Sequence, residues 1–140
     1  MEEKEFEKQN IFGKGAYNAA YARYFRGASF LNPLTEPGKT VFLANVTFEP
    51  GCRNNWHIHH AKSGGGQILI CVAGEGWYQE EGKAAVSLTP GTVITIPANV
   101  KHWHGAKKES WFSHIAVEVP GEDCKTEWCE QVSDEAYEKL

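Results

Sequence analysis

Of the 140 residues, 41% are hydrophobic and 23% charged, with 14 Gly and 6 Pro, which suits one compact domain better than two domains or a disordered chain. Lys and Arg number 14 against 18 Asp and Glu, a net charge of −4; no surplus of positive charge exists to replace the counterions of a phosphate backbone, so no nucleic-acid partner is expected. The longest apolar run, 68–73, is six residues against the roughly 20 of a membrane span, and the start MEEKEFEK lacks the apolar stretch of a signal peptide, so the expectation is a soluble, cytoplasmic protein with no membrane partner.

Residues 1–22 mix charges with Phe6, Phe12, Tyr17 and Tyr21 and contain Gly13 and Gly15. That pattern predicts an irregular N-terminal arm, packed on its own body or on a second subunit, rather than a long helix. The body follows over 23–140. β-type runs at 24–31, 40–48 and 56–59 are separated by the turn-rich stretches NPLTEPGK and EPGCRNN. Further strands are expected at 67–73, 76–79, 84–88, 92–96, 102–104 and 113–119, linked by turns at 74–76, 81–82 and 90–91. Many short strands without intervening helices mean an all-β sandwich or barrel. In the tail, Ser133 can cap a short last helix with Asp134 and Glu135 in its first turn.

The four cysteines, Cys52, Cys71, Cys124 and Cys129, read as reduced structural thiols, because Cys124 and Cys129 are too widely spaced for half of a zinc ribbon. The histidines are clustered instead: His57, His59 and His60 in one group, His102 and His104 in another, and His114 alone. In a strand, alternate side chains share a face, so His57 pairs with His59 and His102 with His104, while Ile58 and Trp103 turn away. Two such pairs meeting inside would offer a divalent metal imidazole ligands from separate segments. Solvated or locally bonded histidines are the competing reading.

Gly51, five residues, His57-Ile58-His59, then Gln67, six residues and Gly74 resemble the first motif of the cupin superfamily. Gly91, five residues, Pro97 and then His102 resemble the second. The wording VTFEPG, NWHIH, GQILI, GEGWYQEEG, PGTVITIPANVKHWHGA and EWCEQVSDEAY is similar to the small manganese-binding cupins that include bacterial cupin-type hydroxynitrile lyases, and to cupin modules found with carboxymuconolactone decarboxylase domains. The resemblance implies a single-domain, jelly-roll-like double-stranded β-barrel and a metal held by His57, His59, Gln67 and His102. It further implies a divalent transition metal, manganese first and iron, nickel or zinc next, and a homodimer. Gln67 stands where most cupins carry Glu, so a bound ion would keep its full formal charge and attract anionic ligands. Seven residues separate His59 from Gln67, more than in the usual motif, which predicts a longer, flexible loop at AKSGGG beside the site.

His104, His114 and Glu118 are the candidate catalytic groups. On SHIAVEV, residues His114, Ala116 and Glu118 share one face, and a His near its ordinary pKa can move a proton at neutral pH. Trp56, Trp77, Trp103, Trp111 and Trp128 are assigned to packing, and Leu43, Leu69 and Cys71 are weaker candidates for an apolar pocket wall. The leading functional reading is a metal-dependent, lyase-like enzyme on a small organic substrate, as in cyanohydrin cleavage. The alternatives are an iron-dependent dioxygenase and a cupin that binds a metal and a small ligand without catalysis, as a sensor or accessory module.

Overall fold

The computed structural model describes residues 2–140. In chain order the first elements are α1 (Glu3–Gln9), β1 (Ala16–Tyr17), a 3-10 segment (Ala19–Tyr24), β2 (Phe25–Arg26), β3 (Ser29–Pro33), β4 (Leu43–Phe48), β5 (Arg53–Asn54), β6 (His57–His60) and β7 (Ser63–Gly64). There follow β8 (Gln67–Gly74), β9 (Gly76–Glu80), β10 (Val86–Leu88), β11 (Val93–Ile96), β12 (Lys101–Ala106), β13 (Phe112–Glu118), β14 (Gly121–Glu122), β15 (Lys125–Trp128) and α2 (Asp134–Glu138). Two sheets face each other. One runs β1-β3-β4-β13-β8-β11; the other runs β10-β9-β12-β5-β2, with β6 beside β12 and β15 beside β6. This is the all-β architecture expected from the strand spacing, in the jelly-roll-like form that the cupin resemblance implies.

Alternation along the strands decides what the two sheets enclose. On β8, Gln67, Leu69, Cys71 and Ala73 are buried while Ile68, Ile70 and Val72 are half-buried on the opposite face. Leu69 joins Val46, Phe48, Tyr78, Leu88, Ile96 and Phe112 in the core, and each such side chain removed from water contributes about 1.5–3 kcal/mol. The polar inner-face positions, Gln67 among them, are therefore surrounded by packed apolar neighbours. A buried polar group is stable there only if something satisfies it.

Three expectations require correction. The run at 24–31 is not one strand: Gly27 adopts φ +89°, open to glycine without strain, and splits it into β2 in one sheet and β3 in the other. The stretch at 49–55 is not only turn, because Arg53 and Asn54 form β5 against β12. The AKSGGG segment is not a loose loop. Ser63 and Gly64 pair with Gly121 and Glu122, and a Cβ on Gly66 (φ +87°) would strike the Ile96 carbonyl oxygen.

The N-terminal arm contains a helix of seven residues, where sequence predicted irregular chain. Glu, Lys and Gln are good helix formers, and a single apolar anchor holds this short helix down. Phe6, 1% exposed, stacks on Trp111 with centroids 5.7 Å apart. Beyond it lies a closed ring of hydrogen bonds. Asn45 Nδ2 donates to Asn10 Oδ1 at 2.9 Å, and Asn10 Nδ2 to the Thr47 hydroxyl at 3.2 Å. With the Thr47 hydroxyl donating to Ser113 Oγ (3.2 Å), Ser113 Oγ donates in turn to Asn45 Oδ1 at 2.8 Å. Four buried side chains thus satisfy one another and fix the arm to its own body.

At the other end Ser133 Oγ caps α2 by accepting from the Ala136 N–H at 3.1 Å, as its sequence predicts. Tyr137 donates its hydroxyl hydrogen to the Ala106 carbonyl at 2.6 Å, tying α2 to β12. All four cysteines are free, two of them buried, and burial pushes the Cys71 thiol up to about 12. Among the described residues no helix is long and apolar enough to cross a membrane.

Candidate metal centre

Three neighbouring strands bring the histidines together. Antiparallel pairing sets Trp128 opposite His57 and Thr126 opposite His59 across β15 and β6, and His57 opposite His102 across β6 and β12. All of these point inward. The imidazoles of His57 and His102 lie 4.2 Å apart by centroid, His59 lies 5.0 Å from His57 and 5.3 Å from His102. His60 turns outward, where it meets Glu127 at 2.6 Å. Trp103 is fully buried behind the sheet against Tyr137.

By distance alone, His57, His102 and His104 form a group that could hold a metal, with one ring nitrogen from each within 4.8 Å of the others, and His59 stands outside it. Hydrogen bonding separates these rings further. Nδ1 of His57 donates to the Asn55 carbonyl at 2.8 Å, and Nδ1 of His102 to the Val100 carbonyl at 2.9 Å, so each Nε2 carries the lone pair. Nδ1 of His59 meets the Thr126 hydroxyl at 3.2 Å. The buried Nε2 atoms of His59 and His102 have no hydrogen-bond partner among the described residues. An imidazole oriented by an oxygen on one nitrogen and bare on the other is the form that ligates a metal, and this donor set fits a divalent transition ion. The ring of His104 differs because Asn54 contacts it.

Gln67 lines the same cavity as His57 and His59. Its Nε2 donates to Glu118 Oε1 at 3.2 Å, which leaves Oε1 as the free acceptor. The longer connection before it does not remove Gln67 from the site. His114 reaches the cavity from the facing sheet, its ring edge-on to His104 with centroids 4.8 Å apart. It is 1% exposed, and neither ring nitrogen has a partner among the described residues.

Burial is the main cause of the low pKa values. It holds His57 and His104 well below the ordinary histidine value, with neighbouring histidines adding to the effect. It also lowers His102 and brings His59 and His114 to about 4. The rings are therefore neutral at pH 7, the state that metal ligation and proton acceptance both need. Burial raises the Glu118 carboxyl, with the Gln67 hydrogen bond opposing.

The cavity over these groups holds about 220 Å³ and is walled by Tyr21, Phe25, Leu31, Phe42 and Trp128. That is below the roughly 300–1,000 Å³ of sites for drug-sized ligands, so it admits a small molecule. Of the wall residues read from sequence, Leu69 and Cys71 belong to the core beneath, and Leu43 is one position out of phase with Phe42 and Ala44, which do line the cavity. Trp128 is a wall residue rather than packing alone. Asn54 and Thr126 escaped sequence reading because they lie on the two-residue strand β5 and the charged strand β15, both without a hydrophobic run.

Residues 44–117 match the model of the cupin domain family. The chain belongs to this family. The cupin is 36% identical to (R)-mandelonitrile lyase from Granulicella tundricola over 91% of its own length and 95% of the relative's. It is also 36% identical to a cupin-like protein from Thermotoga maritima, whose crystal structure superposes with a TM-score of 0.80 over 92% of this cupin and 95% of that chain. A DMSP lyase from Ruegeria pomeroyi shares the fold at 17% identity, with a TM-score of 0.61 over 84% of this cupin and 57% of that chain.

Proposed function

We propose that this cupin is a metal-dependent lyase that splits a small hydroxylated substrate, with an aryl cyanohydrin as the first candidate. One observation carries the reading: His104 and His114, both neutral and buried, stand edge-on to one another at the base of an aromatic-walled cavity, beside the clustered imidazoles of His57, His59 and His102. The likeness to (R)-mandelonitrile lyase supports it.

His57, His59 and His102 would hold a divalent transition ion through Nε2, with Gln67 Oε1 beside them; manganese is the first candidate, then iron, nickel or zinc. When bound, such an ion supplies a Lewis acid that stabilises negative charge on a substrate oxygen. The chain's own groups do the rest. The aromatic wall orients the substrate and excludes water. His104, neutral and with a lone pair, takes the hydroxyl proton; the carbon–carbon bond breaks and its electron pair leaves with cyanide. The proton then returns from the His104 and His114 pair to the cyanide carbon, giving an aldehyde and hydrogen cyanide with both rings restored. Glu118, whose carboxyl is raised by burial, holds Gln67 by accepting from its side-chain amide.

The test is cleavage of mandelonitrile by wild type, His104→Ala and His114→Ala. The reading predicts turnover above background by wild type and a loss of about 10²–10⁴-fold in the variants, the usual contribution of a positioned acid or base. Wild-type cleavage no faster than buffer, across a panel of hydroxynitriles, would contradict it.

A further inference from the structure

We infer that the aliphatic outer face formed by β8, β11 and β13 is the surface on which two copies of this chain associate. Strand register assembles the face. Val93, Ile70 and Ile115 lie in one row across the three strands, and Ile68 and Val117 are paired in the next, with Val72 beyond Ile70. These side chains alternate along their strands with Leu69, Cys71 and Ala116 of the core, so they turn away from it. Val93 is 58% exposed, and the other five are half-buried against one another.

A sheet face left in water ordinarily carries polar and charged side chains at such positions. The opposite sheet does: on its outer side His60 meets Glu127, and Lys101 bridges Glu81 and Glu130. No outward position of β8, β11 or β13 carries a charge. The N-terminal arm engages the polar half of the same face instead. Asn10 bonds to Asn45 and Thr47, and the Phe12 carbonyl accepts from Asn32 Nδ2 at 2.6 Å. Asn45 is the cross-strand neighbour of Ile115, so the arm's polar contacts stop where the aliphatic rows begin. At that border Ile11 stands 79% exposed.

Charge and size select a second copy as the occupant. Each chain carries a net charge of −4, so two copies repel unless they meet through uncharged surface. This face can be set against itself about a two-fold axis with no like charges opposed. A protein of different sequence would gain by complementing the acidic charge, which this face does not offer. Strands about 4.8 Å apart and about 20 Å long give the patch roughly 300 Å² in plane, the upper end of what a monomer leaves exposed. That area supplies the apolar centre of the roughly 800 Å² each partner brings to a standard interface, with Thr95 and the arm as its polar rim. None of this depends on the lyase reading.

The experiment is sedimentation velocity on the full chain as wild type, Ile70→Lys, Ile115→Lys and Val86→Lys. Wild type should sediment as a dimer at micromolar concentration. A lysine in the middle of the face sets like charges against each other, so Ile70→Lys and Ile115→Lys should weaken association by at least about 100-fold. Val86→Lys, on β10 of the other sheet, should remain dimeric. A wild type that is monomeric at every concentration, with or without another protein bound to this face, would overturn the inference. So would a dimer that both lysine variants of the face leave intact. If those variants do not fold by circular dichroism, Val93→Lys decides, because that side chain is largely in water already: dimerisation as strong as wild type there overturns it.

Discussion

The indole of Trp128 lies flat on the ring of Tyr24, with centroids 4.4 Å apart and planes 4° from parallel, and it also borders the His57 imidazole at 4.7 Å. The stack couples the segment preceding β2 to β15 and makes a rigid aromatic side wall for the cavity. Under the proposed function this wall would favour flat apolar substrates, because an aryl ring gains by stacking as well as by leaving water.

Trp128→Ala should therefore raise KM for mandelonitrile about tenfold, the equivalent of about 1.4 kcal/mol of lost binding, while an aliphatic hydroxynitrile is affected less. Steady-state kinetics on the two substrates check this. An equal penalty on both would show that the wall does not discriminate.

The buried histidines predict a direction for acid stability in the metal-free chain. Their pKa values are lower in the folded state than the unfolded value near 6.5, and His114 is brought to about 4. At pH 5 the unfolded chain binds protons that the folded chain refuses, so protonation favours unfolding. The stabilisation is complete above about pH 6.5 and is lost as pH falls toward 4. His114 alone accounts for about 3 kcal/mol at most on this reckoning. Urea unfolding from pH 7 to 4.5 should show a steep fall in midpoint, reduced in His114→Gln. A midpoint that stays level across this range would contradict the burial of neutral rings.

The ring of Asn10, Asn45, Thr47 and Ser113 predicts that Asn10→Ala destabilises the fold although Asn10 touches no catalytic group. The substitution leaves a donor of Asn45 and an acceptor of Thr47 buried without their partner, at a cost of about 1–3 kcal/mol. The urea midpoint measures it. Loss of the arm's attachment should also speed proteolytic cleavage between α1 and β3, and an unaltered midpoint together with unaltered proteolysis would remove the ring's structural role.

Strand alternation made much of this site legible before any coordinates. The pairs His57 with His59 and His102 with His104 needed only a period of two, and His114, Ala116 and Glu118 followed from the same rule on β13. The residues that were not legible lie where local sequence carries no such signal. Asn54 sits on a strand too short to show periodicity, and Gly27, read as interior to one strand, is the point where the chain changes sheets. The tail residues Thr126 and Trp128 are separated by Glu127 on a strand with a single large apolar residue, so their inward direction is set by pairing with β6. The helix around Phe6 depends on Trp111, more than one hundred positions away in the chain. Tertiary packing, not local propensity, decides such a segment.

The central claim is that His57, His59 and His102 are poised to share one divalent ion, and elemental analysis of the purified protein addresses it directly. The account predicts close to one equivalent of a divalent transition metal in wild type, retention in His104→Ala, and loss in both His57→Ala and His102→Ala. A wild type free of such metal after purification in its presence, or full metal content in both ligand variants, would contradict it.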